Sequence, residues 1–209
     1  RRFDDVSQSR YRRSPSRLPK AASVPSSWVL EATATLRLAY RPPFDWELLL
    51  GFLSQRVMKE VEAVADGYYR RTVALGQCRG WISVRNLPQH HALKVTFTTS
   101  LSPVLPALLH RLRNLFDLNA QPLQIADHLA QDPVLQESVT RFPGLRVPGA
   151  FDGFEMFVRA NLGQQVTVKA ATTLSSRFAA AFCEPFVTPF ADLSRLPPVP
   201  SLVELGTGH

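Results

Sequence analysis

The chain has 209 residues, 45% of them hydrophobic and 20% charged, with a formal charge of +7; these are proportions of a globular protein with one large domain or two small ones, and they exclude a disordered or fibrous chain. No stretch approaches the ~18 consecutive apolar residues of a membrane span, and no apolar core follows the basic start as in a signal peptide. Cys78 and Cys183 stand far apart, with neither CxxC spacing nor a companion His pair, so disulfide-framework and zinc-site classes fall away and a reducing cytoplasm is expected.

In chain order, residues 1–20 hold seven basic residues against Asp4 and Asp5, a net +5 that leaves only +2 for the other 189 residues. Attraction to a polyanion is therefore a property of the leader, or the leader is simply a solvated tail. Residues 21–32 are small, polar and Pro-broken, as in a linker. From Ala34, the residues Ala34, Leu36, Leu38 and Tyr40 alternate with polar or small neighbours, which predicts a half-buried strand ended by Pro42 and Pro43.

Asp45 stands at an N-cap position, and Trp46, Leu49, Leu50, Leu53 and Val57 predict a helix through Met58. Tyr69 to Leu75, Cys78 to Asn86 and Leu93 to Thr98 predict three strands joined by short turns, an antiparallel meander. Tyr68, Tyr69 and Trp81 read as sheet core, Arg70 and Arg71 as a solvated strand pair with phosphate contact as the sharper option, and His90–His91 as surface. Leu105, Leu108, Leu109, Leu112, Leu115 and Phe116 then form a helical stripe.

The order strand, helix, three strands, helix predicts an α+β layer: an antiparallel sheet with two helices on one face and the other face wet. Past Asp117 the period changes. Pro122 and Pro133 break two short helical turns, and residues 150–183 give two longer helices, so a domain boundary is expected between Asp117 and Leu145. In the first of these helices Phe151, Phe154, Val158 and Leu162 make the core stripe, and Asp152, Glu155 and Arg159 take other faces, the two acids being favoured by the helix dipole. Gly163, Gln164 and Gln165 form a turn before the second helix.

Beyond periodicity, the run LRVPGAFDGFEMFVRANLGQQVTVKAA at residues 145–171, with RPPFDWELLLGFLSQR, VEAVADGYYRRTVALGQCRGWISV and LRNLFDLNAQP upstream, resembles the DNA-3-methyladenine glycosylase II (AlkA-type) family. The resemblance covers about 150 residues from Leu36 to Pro185. It implies a TATA-binding-protein-like α+β domain over 33–120, the beginning of an all-α glycosylase domain over 121–185, and an irregular tail over 186–209.

It also implies repair of alkylated double-stranded DNA by a monomer in the bacterial cytoplasm, at the nucleoid, without cofactor or metal. Gly163, Gln164 and Gln165 match the turn that enters the minor groove, with Gln165 as the wedge that fills the gap left by a flipped nucleotide. Some relatives carry an apolar wedge, so a glutamine implies polar contacts there. Asn161 stands where the family has an aliphatic residue, and is expected to weaken the packing of its helix.

RRFDDVSQSRYRRSPSRLPK at residues 1–20 resembles the last helix of an AraC-type helix-turn-helix domain, as in Ada-type regulators of the adaptive response, through Phe3, Tyr11, Ser14, Pro15 and Ser16. The helix-hairpin-helix and catalytic aspartate of the glycosylase family have no counterpart in this sequence, and the GTG at residues 206–208 has no following helix, so no catalytic residue is expected here and base excision is not expected of the chain alone. Apolar stripes left uncovered on the helices at 150–183 predict weak solubility. The rival reading is a non-catalytic DNA-binding module resembling one TATA-box-binding-protein repeat.

Overall fold

The computed structural model of the chain describes residues 32–198. The leader, the linker up to residue 31 and the GTG triplet lie outside the described residues.

Strand β1 (Thr33–Ala39) precedes helix α1 (Trp46–Ser54), then β2 (Glu62–Ala65), β3 (Tyr68–Leu75), β4 (Cys78–Leu87), β5 (Ala92–Thr98) and helix α2 (Leu105–Leu115). The strands form one antiparallel sheet in the order β1-β5-β4-β3-β2. The fold class is α+β, as expected.

Two details of the sheet and its first helix differ from expectation. β2 adds a fifth strand: at four residues, with two alanines and an inward glutamate, EAVA is too short and too weakly apolar to show alternation. Helix α1 stops at Ser54, because Val57 is past a turn in which the Arg56 N–H donates to the Leu53 carbonyl, 2.9 Å away. Met58 instead plugs a second small core with Val61, Ala179 and Cys183.

The α1 start is as predicted, since the Asp45 side chain accepts from Leu48 N at 2.9 Å; such a cap contributes about 1 kcal/mol. Leu49 and Leu50 of α1 and Leu108, Leu112 and Leu115 of α2 pack on Leu38, Val73, Ile82, Val84, Leu93, Val95 and Phe97. Each such side chain contributes roughly 1.5–3 kcal/mol by leaving water. Phe116 closes this inner face, its ring meeting those of Trp46 and Tyr69 at 5.4 Å each. The Gly76–Gln77 turn between Leu75 and Cys78 has Gly76 at φ +57, a conformation that favours glycine.

After α2, Pro122 and Pro133 do not break helices but open them, each standing at the first position of α3 (Pro122–Leu129) and α4 (Pro133–Arg141). A first-turn proline lacks only an N–H that would be unpaired anyway. Helices α5 (Gly153–Leu162) and α6 (Val168–Phe182) follow.

The segment from 186 to 198 is irregular, yet it is held: Leu193, Leu196, Pro197 and Pro198 are buried, Glu60 bridges to Leu193, and Arg195 pairs with Glu60 at 2.7 Å. Phe190 meets the Trp81 ring edge-on at 4.9 Å, and the Thr72 hydroxyl donates to the Arg195 carbonyl at 2.6 Å. The face expected to be wet is therefore covered along part of β3 and β4.

Candidate nucleic-acid interface

Helix α5 is fixed at its root. Asp152 caps it, accepting from Glu155 N at 3.0 Å, and also pairs with Arg111 of α2. One turn on, Glu155 is not on a solvated face. It is 4% exposed and meets the buried Arg71 of β3 at 2.7 Å. Arg159, four residues along, meets Glu155 at 2.7 Å and reaches Glu62 of β2. Arg71 also meets Glu62 at 3.3 Å and lies 3.8 Å from the Phe151 ring centre. The Tyr69 hydroxyl donates to Glu62 at 2.6 Å.

Two carboxylates and two guanidiniums thus alternate in a buried square that joins the sheet to α5. Arg71 is neither a solvated residue nor a phosphate ligand, because its whole side chain is committed here.

The square explains its own charge states. Burial alone would raise the Glu62 carboxyl, but the Arg159 and Arg71 guanidiniums, with the Tyr69 hydroxyl, outweigh it and bring it down to about 2. Burial and the neighbouring Glu62 push the Tyr69 phenol well up. Burial opposes the charges of Arg71 and Arg159, and the facing carboxylates more than restore them, so both arginines are raised.

Arg146, in the LRVPG run, is a second buried clamp. It is 4% exposed and donates to the Arg41 carbonyl and, at 3.0 Å, to the Pro43 carbonyl. Gly144 beside it could carry no side chain: a Cβ there would lie 2.6 Å from Asp45 N. Together these contacts tie the segment before α5 to the loop before α1.

At the far end of α5, the Gly163 N–H closes the helix on the Arg159 carbonyl at 2.9 Å, and Gln164 N donates to the Asn161 carbonyl at 3.4 Å. Gln165 sits at φ +59, the left-handed region, which costs a non-glycine residue about 1–2 kcal/mol. The Thr167 side chain then caps α6 through Ala170 N at 3.2 Å. Gln164, Gln165, Val166, Thr167 and Val168 are all exposed. The structure thus brings the three residues of the expected turn together on the connection between two helices, with Gly163 half-buried and Gln164 and Gln165 exposed. Asn161 is exposed and bonds the Phe157 carbonyl at 2.8 Å, so it weakens no packing.

Between this turn and the sheet lies a cavity of about 410 Å³, with Phe52, Leu53, Met156, Val166 and Ala171 on its apolar walls and the Glu62–Arg71–Glu155–Arg159 square as its polar floor. Tyr69 and Trp81 are buried and His90 and His91 are at the surface, as expected, but Tyr68 is half-buried on the outer face opposite Arg85 and is not part of the core. Asp152 and Glu155 are occupied as described, and Asp192, a carboxylate of the irregular tail that could otherwise stand in for a catalytic aspartate, is exposed. The expected stripe of α5 is not left open, since Phe151 and Val158 are buried and Phe154 and Leu162 half-buried; the apolar surface that stays open is off it, at Met156 and Phe157 of α5 and Phe182 of α6.

The AlkA N-terminal domain model matches residues 35–152, more than half of the chain. The chain belongs to this family. Over 147 residues it is 38% identical to the DNA-3-methyladenine glycosylase 2 of Escherichia coli K12, covering 70% of this chain and 50% of that protein. Over 190 residues it is 35% identical to a probable bifunctional transcriptional activator/DNA repair enzyme AlkA of Mycobacterium tuberculosis, covering 90% of this chain and 38% of that one. The chain therefore spans half or less of the length of these relatives.

A 3-methyladenine DNA-glycosylase from Archaeoglobus fulgidus shares the fold, with a TM-score of 0.65 at 17% identity over 78% of this chain and 55% of that one. No helix among the described residues is long and apolar enough to cross a membrane. The buried square was not legible in the sequence as a unit; the one local signal for it is the Glu155/Arg159 spacing of four.

Proposed function

We propose that this chain is the DNA-engaging half of an AlkA-type DNA glycosylase, serving base-excision repair of alkylated duplex DNA in a bacterial cytoplasm. Residues 33–120 are its α+β domain, 121–185 the start of its helical domain, and 1–20 the end of an Ada-like regulator. In this reading the turn Gly163–Gln164–Gln165 enters the minor groove, and the Gln165 amide takes the gap left by an extruded nucleotide.

The observation that carries the reading is the way Gln165 is presented. An exposed residue in the left-handed region stands between two capped helices, and the first of these is fixed to the sheet by the buried square. A rigid wedge is needed because flipping leaves an unstacked hole costing a few kcal/mol, which a mobile side chain would not repay. Membership of the AlkA family favours this over a free-standing binding module.

The chain acts without metal or redox cofactor in this reading, and as a monomer. Asp152 and Glu155 are taken up by capping and ion pairing, so neither is free to oppose a sugar cation.

The test is base release from alkylated duplex by the purified chain beside the full-length Escherichia coli relative, with binding to intact and abasic duplex measured in parallel. The expected result is no release, tighter binding to the abasic duplex, and loss of about tenfold of that preference in Gln165→Ala, equivalent to ~1.4 kcal/mol. Equal binding to both duplexes would remove the wedge role. Release near the control rate would mean that Asp192 or a carboxylate of the square does chemistry.

A further inference from the structure

The outer face of the sheet carries a charge pattern that folding does not explain. In register, Arg37 of β1 stands opposite Lys94 of β5, and Lys94 opposite Arg85 of β4. Three cations thus form one straight row across three strands. At the strand spacing of ~4.8 Å the row spans roughly 10 Å. None of the three forms an ion pair among the described residues, where the cations paired with carboxylates are Arg71, Arg111, Arg159 and Arg195.

Strand residues on this face include Arg70 and Arg79 as well, and no aspartate or glutamate. Asp66, on the β2–β3 turn, and Glu47 line the same surface depression as Arg85 without pairing with it.

Like charges set directly opposite in an antiparallel pair destabilise a sheet. Beside the row runs a second register line of hydroxyls, with Thr35 and Thr96 oxygens 3.4 Å apart and Ser83 next in line. That line ends at Arg70, whose guanidinium lies 5.0 Å from both the Tyr68 and Phe190 ring centres. Here β1, β5 and β4 present cations and hydroxyls, and no exposed aromatic side chain. Such a surface suits phosphate oxygens; the row's next register neighbour is Tyr68, half-buried with the Arg70 guanidinium over its ring, so successive single-strand bases meet no run of open rings.

We propose that the Arg37–Lys94–Arg85 row is a second contact surface for duplex DNA, seated on the phosphate backbone and separate from the Gln165 turn. It rests on the DNA-binding reading above and adds to it a sequence-independent hold on flanking duplex. An acidic protein segment is the competing occupant. The row's breadth and the hydroxyl line beside it favour the duplex, where each cation that meets a phosphate releases counterions.

The test compares the full chain with Arg37→Ala/Lys94→Ala/Arg85→Ala in binding undamaged duplex over a series of NaCl concentrations. Removing three phosphate contacts should make the slope of log affinity against log salt shallower by roughly 2 to 3, with binding about tenfold weaker at low salt. The basic leader is the same in both proteins and cancels. The variant relieves repulsion, so its melting temperature should stay level or rise, which separates lost contact from lost fold.

An unchanged slope overturns the proposal, as does a wild-type chain with no salt-dependent duplex binding. Poly-glutamate bound through the same three residues as tightly as duplex overturns it in favour of an acidic protein. Gln165→Ala distinguishes the two readings: it should alter abasic preference and leave the slope alone. If the abasic preference is missing while the triple variant still flattens the slope, the wedge fails and the row stands.

Discussion

Arg70 and Arg71 are neighbours in β3 and fall on opposite faces of the sheet, with opposite fates. Arg71 is buried and meets two carboxylates, with a phenol and a second arginine completing the group. On the other face Arg37, Lys94 and Arg85 align with no carboxylate among their strand neighbours. The contrast shows how solvent sets the rule. An unpaired charge inside protein costs several kcal/mol, and Arg71 is buried where two carboxylates meet it. Water screens the outer face, which can hold three like charges at small cost, so an unbalanced pattern there reflects use more than folding.

The harshest way to break the comparison is Arg71→Met. It leaves Glu62 and Glu155 sharing Arg159 in a buried site, and should destabilise the chain by about 3–5 kcal/mol in urea unfolding. Arg71→Met/Glu155→Leu restores charge balance and should recover most of the loss. If the double variant is no better than the single, the square matters for shape and not for charge.

Acid probes the same group more gently. The Glu62 carboxyl is held at about 2, below its ordinary 4.5, so its contribution is fully present above pH ~5 and is lost as pH falls through the folded value. Melting temperature should fall steeply between pH 5 and 2, by an amount corresponding to a few kcal/mol, and Glu62→Gln should show a shallower fall from a lower start. Parallel curves for the two proteins would place the acid sensitivity elsewhere.

Which parts were legible in sequence follows from the same physics. Alternation and helical stripes report apolar burial, so β1, β3, β4, β5, α2, α5 and α6 could be read directly. β2 could not, since its inward residue is Glu62, a charge whose partners Arg71 and Arg159 lie 9 and 97 positions away. Arg71 reads as surface for the same reason: a strand arginine is buried only when distant carboxylates come to it. The tail fails to show because Phe190 and Leu193 pack without period. The Gln165 turn could be located, since Gly163 and the flanking helix patterns bracket it, but its left-handed backbone is a property of the connection and not of the residue type. The outer row needs the register: Arg37, Arg85 and Lys94 are scattered in sequence, and only the pairing of β1, β5 and β4 aligns them.

The smallest effect is the sharpest test of the contrast. Lys94→Glu puts a carboxylate between Arg37 and Arg85, giving the outer row the alternation that the inner square already has. Because both pairs would be solvent-exposed, each should add only ~0.2–1 kcal/mol, seen as a rise of a few degrees or less in melting temperature at low salt. In 1 M NaCl the screening length is about 3 Å and the gain should vanish. Alternation on one face would then be worth several kcal/mol and on the other almost nothing, with the same residue types in the same sheet. The same variant should bind duplex more weakly than wild type while being more stable. A loss of stability at low salt would mean that the three cations do not repel one another as their register implies, and folding alone would then account for the row.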